Sequence, residues 1–231
     1  MLSGFYLHYQ PIFYLHDLSR VLGYEALPRH PAGWSPHDLL REARRVGAIP
    51  VWELRVLERA VEEVLLRTSE TLFLNLTPEA FTDTAFAVRV RRAVEGKGVS
   101  PTRVCVEVSE QSLYTPEEFG RALEEWVGLG FYVALDDFGT KGSNLDIVLS
   151  VKLDFVKLDR VLVGGISRDR QKQRLLTGLV EALSGNGVYP ILEGVEDEDD
   201  MKWLAGKGWD VGVQGFALAR PGSLPCRLER S

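Results

Sequence analysis

A polar residue stands near the carboxyl end of each of several apolar segments that we predict to be β-strands. These residues are Glu25, Asn75, Glu107, Asp136, Lys157, Glu193 and Gln214. Because strand side chains alternate between two faces, the polar residues share one face and the aliphatic residues share the other. In a parallel barrel the polar face would point inward. The polar ends would then meet at one mouth, where barrel enzymes hold their active sites.

This set of side chains predicts a site for divalent cations. Carboxylates that converge without a counter-charge repel one another, and a cation removes that cost. Carboxylate and carboxamide oxygens suit Mg²⁺ or Mn²⁺, and adjacent acids such as Asp136 and Asp137 can hold two ions. Lys157 would orient a water molecule or neutralise charge. All four histidines lie between His8 and His37, which argues against a zinc hydrolase and against a histidine acid/base pair.

Each of these residues also has an ordinary structural explanation. Asp136 and Asp137 would cap a following helix, and the acids at 196–200 would form a loop and a first helical turn that the helix dipole favours. A single Lys157 is more often an ion-paired residue than a catalytic one. Asn75 and Gln214 would simply end their strands. The site hypothesis therefore depends on all of them falling at the same end and face of successive strands.

Short β-rich segments alternate with helical segments along the whole chain. We predict strands at 5–9, 21–27, 72–76, 103–108, 131–136, 155–158, 188–192 and 211–214, and a turn at 17–19. We predict helices at 36–46, 51–67, 78–95, 116–129, 172–184 and 199–206, and a short one around 145–149. Repeated β-then-α units indicate a parallel sheet, and their number favours a closed barrel over an open doubly wound sheet. The short turn between the first two strands predicts one antiparallel strand.

The composition is that of a globular protein with a sizeable core, since 45% of its 231 residues are hydrophobic. The net charge of −6 and the lack of a basic block argue against DNA or RNA polymers as partners. Cys105 and Cys226 lie too far apart to suggest a disulfide framework or a zinc site. Without a signal-like start or an apolar stretch of roughly 20 residues, we expect a cytoplasmic protein with no membrane segment.

The candidate residues fall within short blocks that follow one another along the chain. The blocks are Tyr9-Gln10-Pro11-Ile12, Gly23-Tyr24-Glu25-Ala26-Leu27-Pro28-Arg29, Asn75-Leu76-Thr77, Glu107-Val108-Ser109-Glu110, Asp136-Asp137-Phe138-Gly139-Thr140, Val156-Lys157-Leu158-Asp159-Arg160, Glu193-Gly194-Val195-Glu196 and Gln214-Gly215-Phe216. In this order they resemble the EAL domain family over essentially the whole chain. The triplet Glu25-Ala26-Leu27 alone would not be specific, whereas the ordered set is.

The resemblance implies a fold and an activity. The fold is a modified (β/α)8 barrel of the TIM type with one antiparallel strand near the N-terminus, built as a single EAL domain over residues 1–231. The activity is hydrolysis of cyclic di-GMP, a bacterial second messenger, to the linear dinucleotide pGpG. The resemblance implies Mg²⁺ or Mn²⁺ as the cofactor, with two ions expected, and a homodimer as the assembly.

The resemblance also implies roles for the matching residues. The metal ligands would be Glu25, Asn75, Glu107, Asp136, Asp137 and Glu193. The nucleotide would be contacted by Gln10, Leu27, Arg29 and Gln214, and the planar fork of Arg29 suits a phosphate or a guanine edge. Lys157 would hold or activate the nucleophilic water, and Glu25 would be both a ligand and a catalytic residue. Glu110 would steady the loop after Asp137, and Glu196 would support the metal ligands or the substrate.

One block departs from the family pattern. After Asp-Asp-Phe-Gly-Thr the family usually continues Gly-Tyr-Ser-Ser or Gly-Phe-Ser-Ser, whereas this chain has Lys141-Gly142-Ser143-Asn144. In the family this loop links metal binding to dimerisation, so an altered loop would lower turnover while nucleotide binding survives. Two alternatives therefore stand beside the active enzyme. One is a cyclic di-GMP receptor with negligible turnover, and the other is a protein-interaction module that binds no nucleotide.

Overall fold

The strands close into a barrel. The computed structural model describes residues 4–109, 115–140, 148 and 151–224. Its strands are β1 (Tyr6–Tyr14), β2 (Asp17–Arg29), β3 (Thr71–Asn75), β4 (Val104–Ser109), β5 (Tyr132–Phe138), β6 (Phe155–Leu158), β7 (Tyr189–Leu192) and β8 (Gly212–Val213). They follow one another in order around the barrel. From β2 to β8 the neighbours are parallel, and β1 is antiparallel to both β2 and β8. The predicted fold is confirmed.

Helices connect the strands and cover the outside of the barrel. They are α1 (Pro36–Arg45), α2 (Ile49–Ala60), α3 (Pro78–Phe81), α4 (Thr84–Glu95), α5 (Pro116–Gly128), α6 (Arg160–Val163), α7 (Arg170–Gly185) and α8 (Glu198–Ala205). Short 3₁₀ turns lie at Pro101–Arg103 and Ile166–Arg168, and α2 continues into a π-helical turn at Val61–Leu65. Each strand therefore ends close to the loop that leads into its helix.

Three local predictions need correction. The helix predicted at 78–95 is two helices, because the Asp83 carboxylate accepts the backbone N–H groups of Ala85 and Phe86 and begins α4 anew. The turn predicted at 17–19 lies at residues 15–16, since β1 runs on to Tyr14 and pairs with both neighbours. Helix α6 was not predicted, and the short helix predicted around 145–149 lies outside the described residues apart from Val148.

Two apolar layers follow the strand alternation. The larger layer lies between the sheet and the helices and includes Leu72, Leu74, Val104, Val106, Val133 and Leu135. The smaller layer consists of Ile12, Phe73, Cys105, Ala134, Phe155 and Ile191. Its members have the opposite parity on their strands, so they fill the inside of the barrel. A Cβ atom at Gly23 would meet the Phe73 ring at 2.5 Å, so glycine leaves room for this packing.

Candidate functional site

A layer of polar side chains lies directly above the interior apolar layer. Each strand contributes one member, two residues beyond its inward-facing apolar or glycine position. In strand order the members are Gln10, Glu25, Asn75, Glu107, Asp136, Lys157, Glu193 and Gln214. Because β1 is antiparallel, Gln10 precedes its apolar residue instead of following it. The structure thus brings the polar ends predicted from the sequence to one mouth of the barrel.

The side chain of Lys157 stands at the centre of this layer and is 1% exposed. Its Nζ atom lies 2.7 Å from Glu107 Oε1, 2.8 Å from Glu193 Oε1 and 3.2 Å from Asp136 Oδ1. Glu25 Oε2 is a more distant neighbour at 3.6 Å. One ammonium group is therefore shared by four carboxylates from four different strands or strand ends.

Glu25 is held on both of its carboxylate oxygens. The Asn75 amide donates to Oε1 at 2.9 Å, and the Gln214 amide donates to Oε2 at 2.7 Å. Burial alone would raise the pKa of Glu25, but Lys157 and these two amide donors outweigh it and lower the pKa below its ordinary value. Glu25 is therefore a fixed, ionised carboxylate.

The ionised forms of the other three carboxyl groups around Lys157 are less stabilised than that of Glu25. Burial raises the pKa of Glu107 well above its ordinary value, raises that of Asp136 and raises that of Glu193 to about 8. Lys157 partly opposes each shift, but one positive charge does not balance four negative ones. Burial would lower the pKa of Lys157, and the surrounding carboxylates instead raise it well above its usual value. Lys157 is thus a permanent ammonium, and Glu107, Asp136 and Glu193 hold their protons to a higher pH than ordinary carboxyls do, because one ammonium does not offset four ionised acids.

The donor set fits a divalent metal, although the side chains as they stand are closed around Lys157. Among the described residues, no three His, Cys, Asp or Glu side chains are arranged to hold an ion. Oε1 of the fully buried Glu107 is paired with the Lys157 ammonium at 2.7 Å, whereas its Oε2 has no hydrogen-bond partner among the described residues. A hard cation would provide a partner for the free buried oxygen and would allow the neighbouring acids to ionise together. The chemistry of these residues therefore fits a divalent cation.

Asp137 follows the cluster in a strained backbone conformation. Its φ of 60° is the one positive value at a non-glycine position among the described residues. The Ser109 hydroxyl donates to Asp137 Oδ2 at 3.1 Å, and the Asp137 backbone N–H donates to Asp136 Oδ1 at 2.9 Å. A left-handed aspartate costs roughly 1–3 kcal/mol and is maintained when its surroundings fix it. The strain turns the adjacent carboxylates of Asp136 and Asp137 toward different neighbours.

Two cavities flank the carboxylate cluster. The larger has a volume of about 560 Å³, and its lining includes Leu27, Glu53, Asn75, Asp136 and Asp137. The smaller has a volume of about 210 Å³, and its lining includes Gln10, Glu25, Glu193, Glu196, Gln214 and Phe216. The cluster therefore opens on two sides, one with a largely apolar wall and one with a wall of mixed polar and apolar surface.

The other residues predicted for the site lie around the rim of the barrel mouth or outside the residues that the structure describes. Glu196 is not part of the cluster, because its Oε1 pairs with the Arg160 guanidinium at 2.9 Å. Arg29 ends β2, and its guanidinium donates to the carbonyl oxygen of Pro28 at 2.9 Å. Gln10 donates to the Ala219 carbonyl oxygen at 3.2 Å. Glu110 and the segment 141–144 lie outside the described residues.

Sequence reasoning missed a buried acid, Glu53, on the wall of the larger cavity. Its Oε1 accepts the Thr77 backbone N–H at 2.8 Å, and its Oε2 has no partner among the described residues. Burial raises the pKa of Glu53 to about 7. A signal was present, because Glu53 interrupts the apolar stripe of α2, which buries Trp52, Val56 and Leu57 on the same face. A charged residue at a core-facing position of a helix therefore indicates a candidate functional residue.

Comparison with known proteins agrees with this architecture. A sequence model described as EAL domain matches residues 2–221. The chain belongs to the EAL domain family. An uncharacterized signaling protein of Caulobacter vibrioides is 31% identical to it over 93% of the chain, and the probable cyclic di-GMP phosphodiesterase PdeN of Escherichia coli is 26% identical over 94%. This EAL chain spans 27% and 43% of the lengths of those two relatives.

Solved EAL structures share the fold. The PaMucR phosphodiesterase in complex with c-di-GMP superposes with a TM-score of 0.84 at 25% identity, covering 96% of this chain and 98% of that one. A manganese and c-di-GMP complex of Klebsiella pneumoniae BlrP1 superposes with a TM-score of 0.83 at 26% identity, covering 95% and 56%. In the described part of this EAL domain, no helix has the length and apolar character needed to cross a membrane.

Proposed function

We propose that this protein hydrolyses cyclic di-GMP to linear pGpG. The observation that carries the proposal is the cluster of four carboxylates around Lys157 at the mouth of an EAL-family barrel. Relatives named as cyclic di-GMP phosphodiesterases and a related phosphodiesterase solved with c-di-GMP support the substrate. An interaction module that binds no nucleotide would have no need of four acids packed around one buried lysine, an arrangement that costs stability.

Divalent ions complete the proposed site. Glu25, Asn75, Glu107, Asp136, Asp137 and Glu193 would hold Mg²⁺ or Mn²⁺, in our proposal two ions. When bound, such ions lower the pKa of the attacking water and offset charge on the phosphodiester. Related structures solved with calcium or manganese beside c-di-GMP support a divalent cofactor. The buried Glu107 Oε2, which has no partner among the described residues, is the local reason to expect one in this chain.

Lys157 would orient the attacking water. The carboxylates around it raise its pKa, so it remains an ammonium that donates hydrogen bonds and does not remove a proton. The water oxygen would add to phosphorus while the P–O3′ bond breaks and a proton of the water passes to the 3′-oxygen, which leaves a 5′-phosphate and a free 3′-hydroxyl. Glu25, fixed by Asn75 and Gln214, would keep the geometry of the site unchanged during the step.

The two cavities suit the two nucleoside halves of the substrate. The phosphodiester would lie over the carboxylate cluster, with one half in each cavity. In the larger cavity Leu27 offers an apolar wall for one of the two halves. Gln10, Gln214 and Arg29 would supply polar contacts at the rim. Glu196 and Glu110 would support the site from outside the cluster.

We also propose the domain bounds, the assembly and the cellular location of the protein. We infer a single EAL domain over residues 1–231 that acts as a homodimer in the cytoplasm. The match of the family model to residues 2–221 supports the domain bounds. Sedimentation of the purified chain would test the dimer, since a monomer at micromolar concentration would contradict it.

A pair of glutamate variants tests the proposed activity. Glu107→Gln keeps the shape of a fully buried ligand but removes its charge, whereas Glu62→Gln changes a surface acid paired with Lys97. We expect pGpG from the wild type and from Glu62→Gln in Mg²⁺ or Mn²⁺, and at least roughly 10³-fold less from Glu107→Gln. Chromatography of the reaction mixture gives the measurement. Equal rates in the two variants would contradict the assignment of the site.

A further inference from the structure

The short helix α6 follows Lys157 directly and lies between the ends of β5 and β7. The Asp159 backbone N–H donates to the Phe138 carbonyl oxygen at 3.0 Å, and the Glu193 N–H donates to the Leu158 carbonyl oxygen at 2.9 Å. A helix of a single turn is not stable by itself, so the contacts around α6 decide where it lies. The chain that leads into α6 is therefore fixed to both neighbouring strand ends.

The carboxyl end of α6 is fixed to the body of the protein. The Asp200 carboxylate is 2% exposed and accepts the backbone N–H groups of Gly165 at 2.7 Å and Ser167 at 2.9 Å. The Lys172 ammonium donates to the Gly164 carbonyl oxygen at 2.7 Å. These hydrogen bonds directly after α6 leave the short helix little freedom to move.

One side of α6 is pressed against the loop after β7. Gly194 has a φ of 64°, and a Cβ atom there would overlap the Cβ atom of Arg160. The Arg160 guanidinium also pairs with Glu196 Oε1 of the same loop at 2.9 Å. This side of α6 is therefore supported by close contact and by an ion pair.

The other side of α6 is pressed against the turn after Asp137. Gly139 has a φ of 99°, and a Cβ atom there would overlap the side chain of Leu162. The Thr140 N–H donates to the Asp137 carbonyl oxygen at 3.3 Å, so Gly139 lies inside a turn that begins at Asp137. Leu162 therefore covers the middle of this turn.

Asp137 requires support from its surroundings because its backbone is strained at a φ of 60°. A non-glycine residue in this conformation relaxes unless the surrounding structure holds it. Hydrogen bonds to Ser109 and Asp136 hold Asp137 on the side of the carboxylate cluster. Leu162 holds the turn that leads away from Asp137, so the strained residue is supported on both sides.

We propose that Leu162 is a positioning residue that holds Asp137 in the conformation that binds a divalent cation, which rests on the metal site of the proposed function. Leu162 has no polar group and acts only through the turn at Gly139. The apparent Kd of a ligand rises by the inverse of the fraction of molecules that hold the competent conformation. When the Leu162 side chain is shortened, the turn can relax and that fraction falls.

Titration calorimetry of MnCl₂ into the metal-free protein tests this role. Leu162→Ala removes the contact with the turn, and Leu162→Met keeps apolar bulk of similar volume. The matched control is Leu179→Ala, which shortens another half-buried leucine that packs against the core, on α7. We expect Leu162→Ala to raise the Kd for Mn²⁺ about tenfold, because relief of such strain favours the relaxed turn by about that factor.

The expected controls separate positioning from a general loss of stability. Leu162→Met and Leu179→Ala should bind Mn²⁺ within about twofold of the wild type. Urea denaturation should show a comparable loss of stability in Leu162→Ala and Leu179→Ala, since both remove the same atoms from half-buried positions. A raised Kd in Leu162→Ala alone supports the positioning role.

Other outcomes overturn the positioning role or decide it apart from the proposed function. Equal Kd values for Mn²⁺ in Leu162→Ala and Leu179→Ala overturn the role, whatever the rate of cyclic di-GMP hydrolysis. A wild type that binds Mn²⁺ without cleaving cyclic di-GMP contradicts the proposed function, and the same Kd comparison still decides the role of Leu162. A wild type that takes up no Mn²⁺ overturns the role, because there is then no metal-binding conformation for Leu162 to hold.

Discussion

At the scale of single residues, type and parity were enough to predict which side chains meet. Glu25, Glu107, Asp136 and Glu193 were predicted at one mouth, and the structure places them within 3.6 Å of the Lys157 ammonium. The sequence did not predict that Lys157 would lie at the centre. Ion-pair geometry depends on how far each side chain reaches across the barrel, and strand alternation does not report that reach.

Because Lys157 is the buried counter-charge of the acids around it, we predict that a variant without this lysine depends on divalent cations for its stability. In Lys157→Met, four carboxylates lose their buried counter-charge, so unfolding in chelator should become easier by roughly 3–5 kcal/mol. Adding Mn²⁺ should recover much of that loss, because the ion supplies the missing charge. Thermal and chemical denaturation with and without the ion provide the measurement.

The matched control is Lys202→Met, which removes a lysine whose side chain is 72% exposed. It should behave like the wild type with and without the ion, since exposed ion pairs contribute little. If Lys157→Met were as stable in chelator as Lys202→Met, the charge balance described for the site would be wrong.

At the scale of elements, strands were predicted better than helix boundaries. The two-residue alternation identified the strands from β3 onward, but a continuous apolar pattern hid the break between α3 and α4. Asp83 makes that break by capping α4, and an aspartate within an apolar helical pattern can also lie on the exposed face of one continuous helix. The burial of Glu53 was not predicted, for a related reason. Its burial in α2 follows from the packing of α2 against the turn at Thr77, which a single sequence does not show.

Glu53 predicts a pH dependence of stability. Burial raises its pKa from 4.5 to about 7 in the folded protein, so between these values the folded state binds more protons than the unfolded state. Stability is therefore lost as the pH rises through this window. Glu53→Gln can still accept the Thr77 N–H and carries no charge. It should gain about 3 kcal/mol over the wild type between pH 5 and pH 8.

Urea denaturation across that pH range gives the measurement. Glu58→Gln is the control, because Glu58 is exposed on the same helix. Its stability should track that of the wild type at every pH. A constant difference between Glu53→Gln and the wild type from pH 5 to pH 8 would show that the Glu53 carboxyl does not titrate as stated.

At the scale of the whole molecule, the barrel was predictable because one rule governs every strand. Alternation assigned Phe73, Cys105, Ala134 and Phe155 to the inside and left the next inward position of each strand for a polar residue. The division of the mouth into two cavities was not predictable. It depends on the segment after β8, residues 215–222, and on the position of α2, which loops and packing decide.

The most direct test of the account is hydrolysis of cyclic di-GMP by the purified wild-type protein. Parallel reactions would contain Mg²⁺, Mn²⁺ or EDTA, with products separated by chromatography and bound dinucleotide measured by calorimetry. The account predicts pGpG in Mg²⁺ or Mn²⁺ and none in EDTA. Measurable binding of cyclic di-GMP with no pGpG in either metal would contradict it and would identify the protein as a receptor for the dinucleotide.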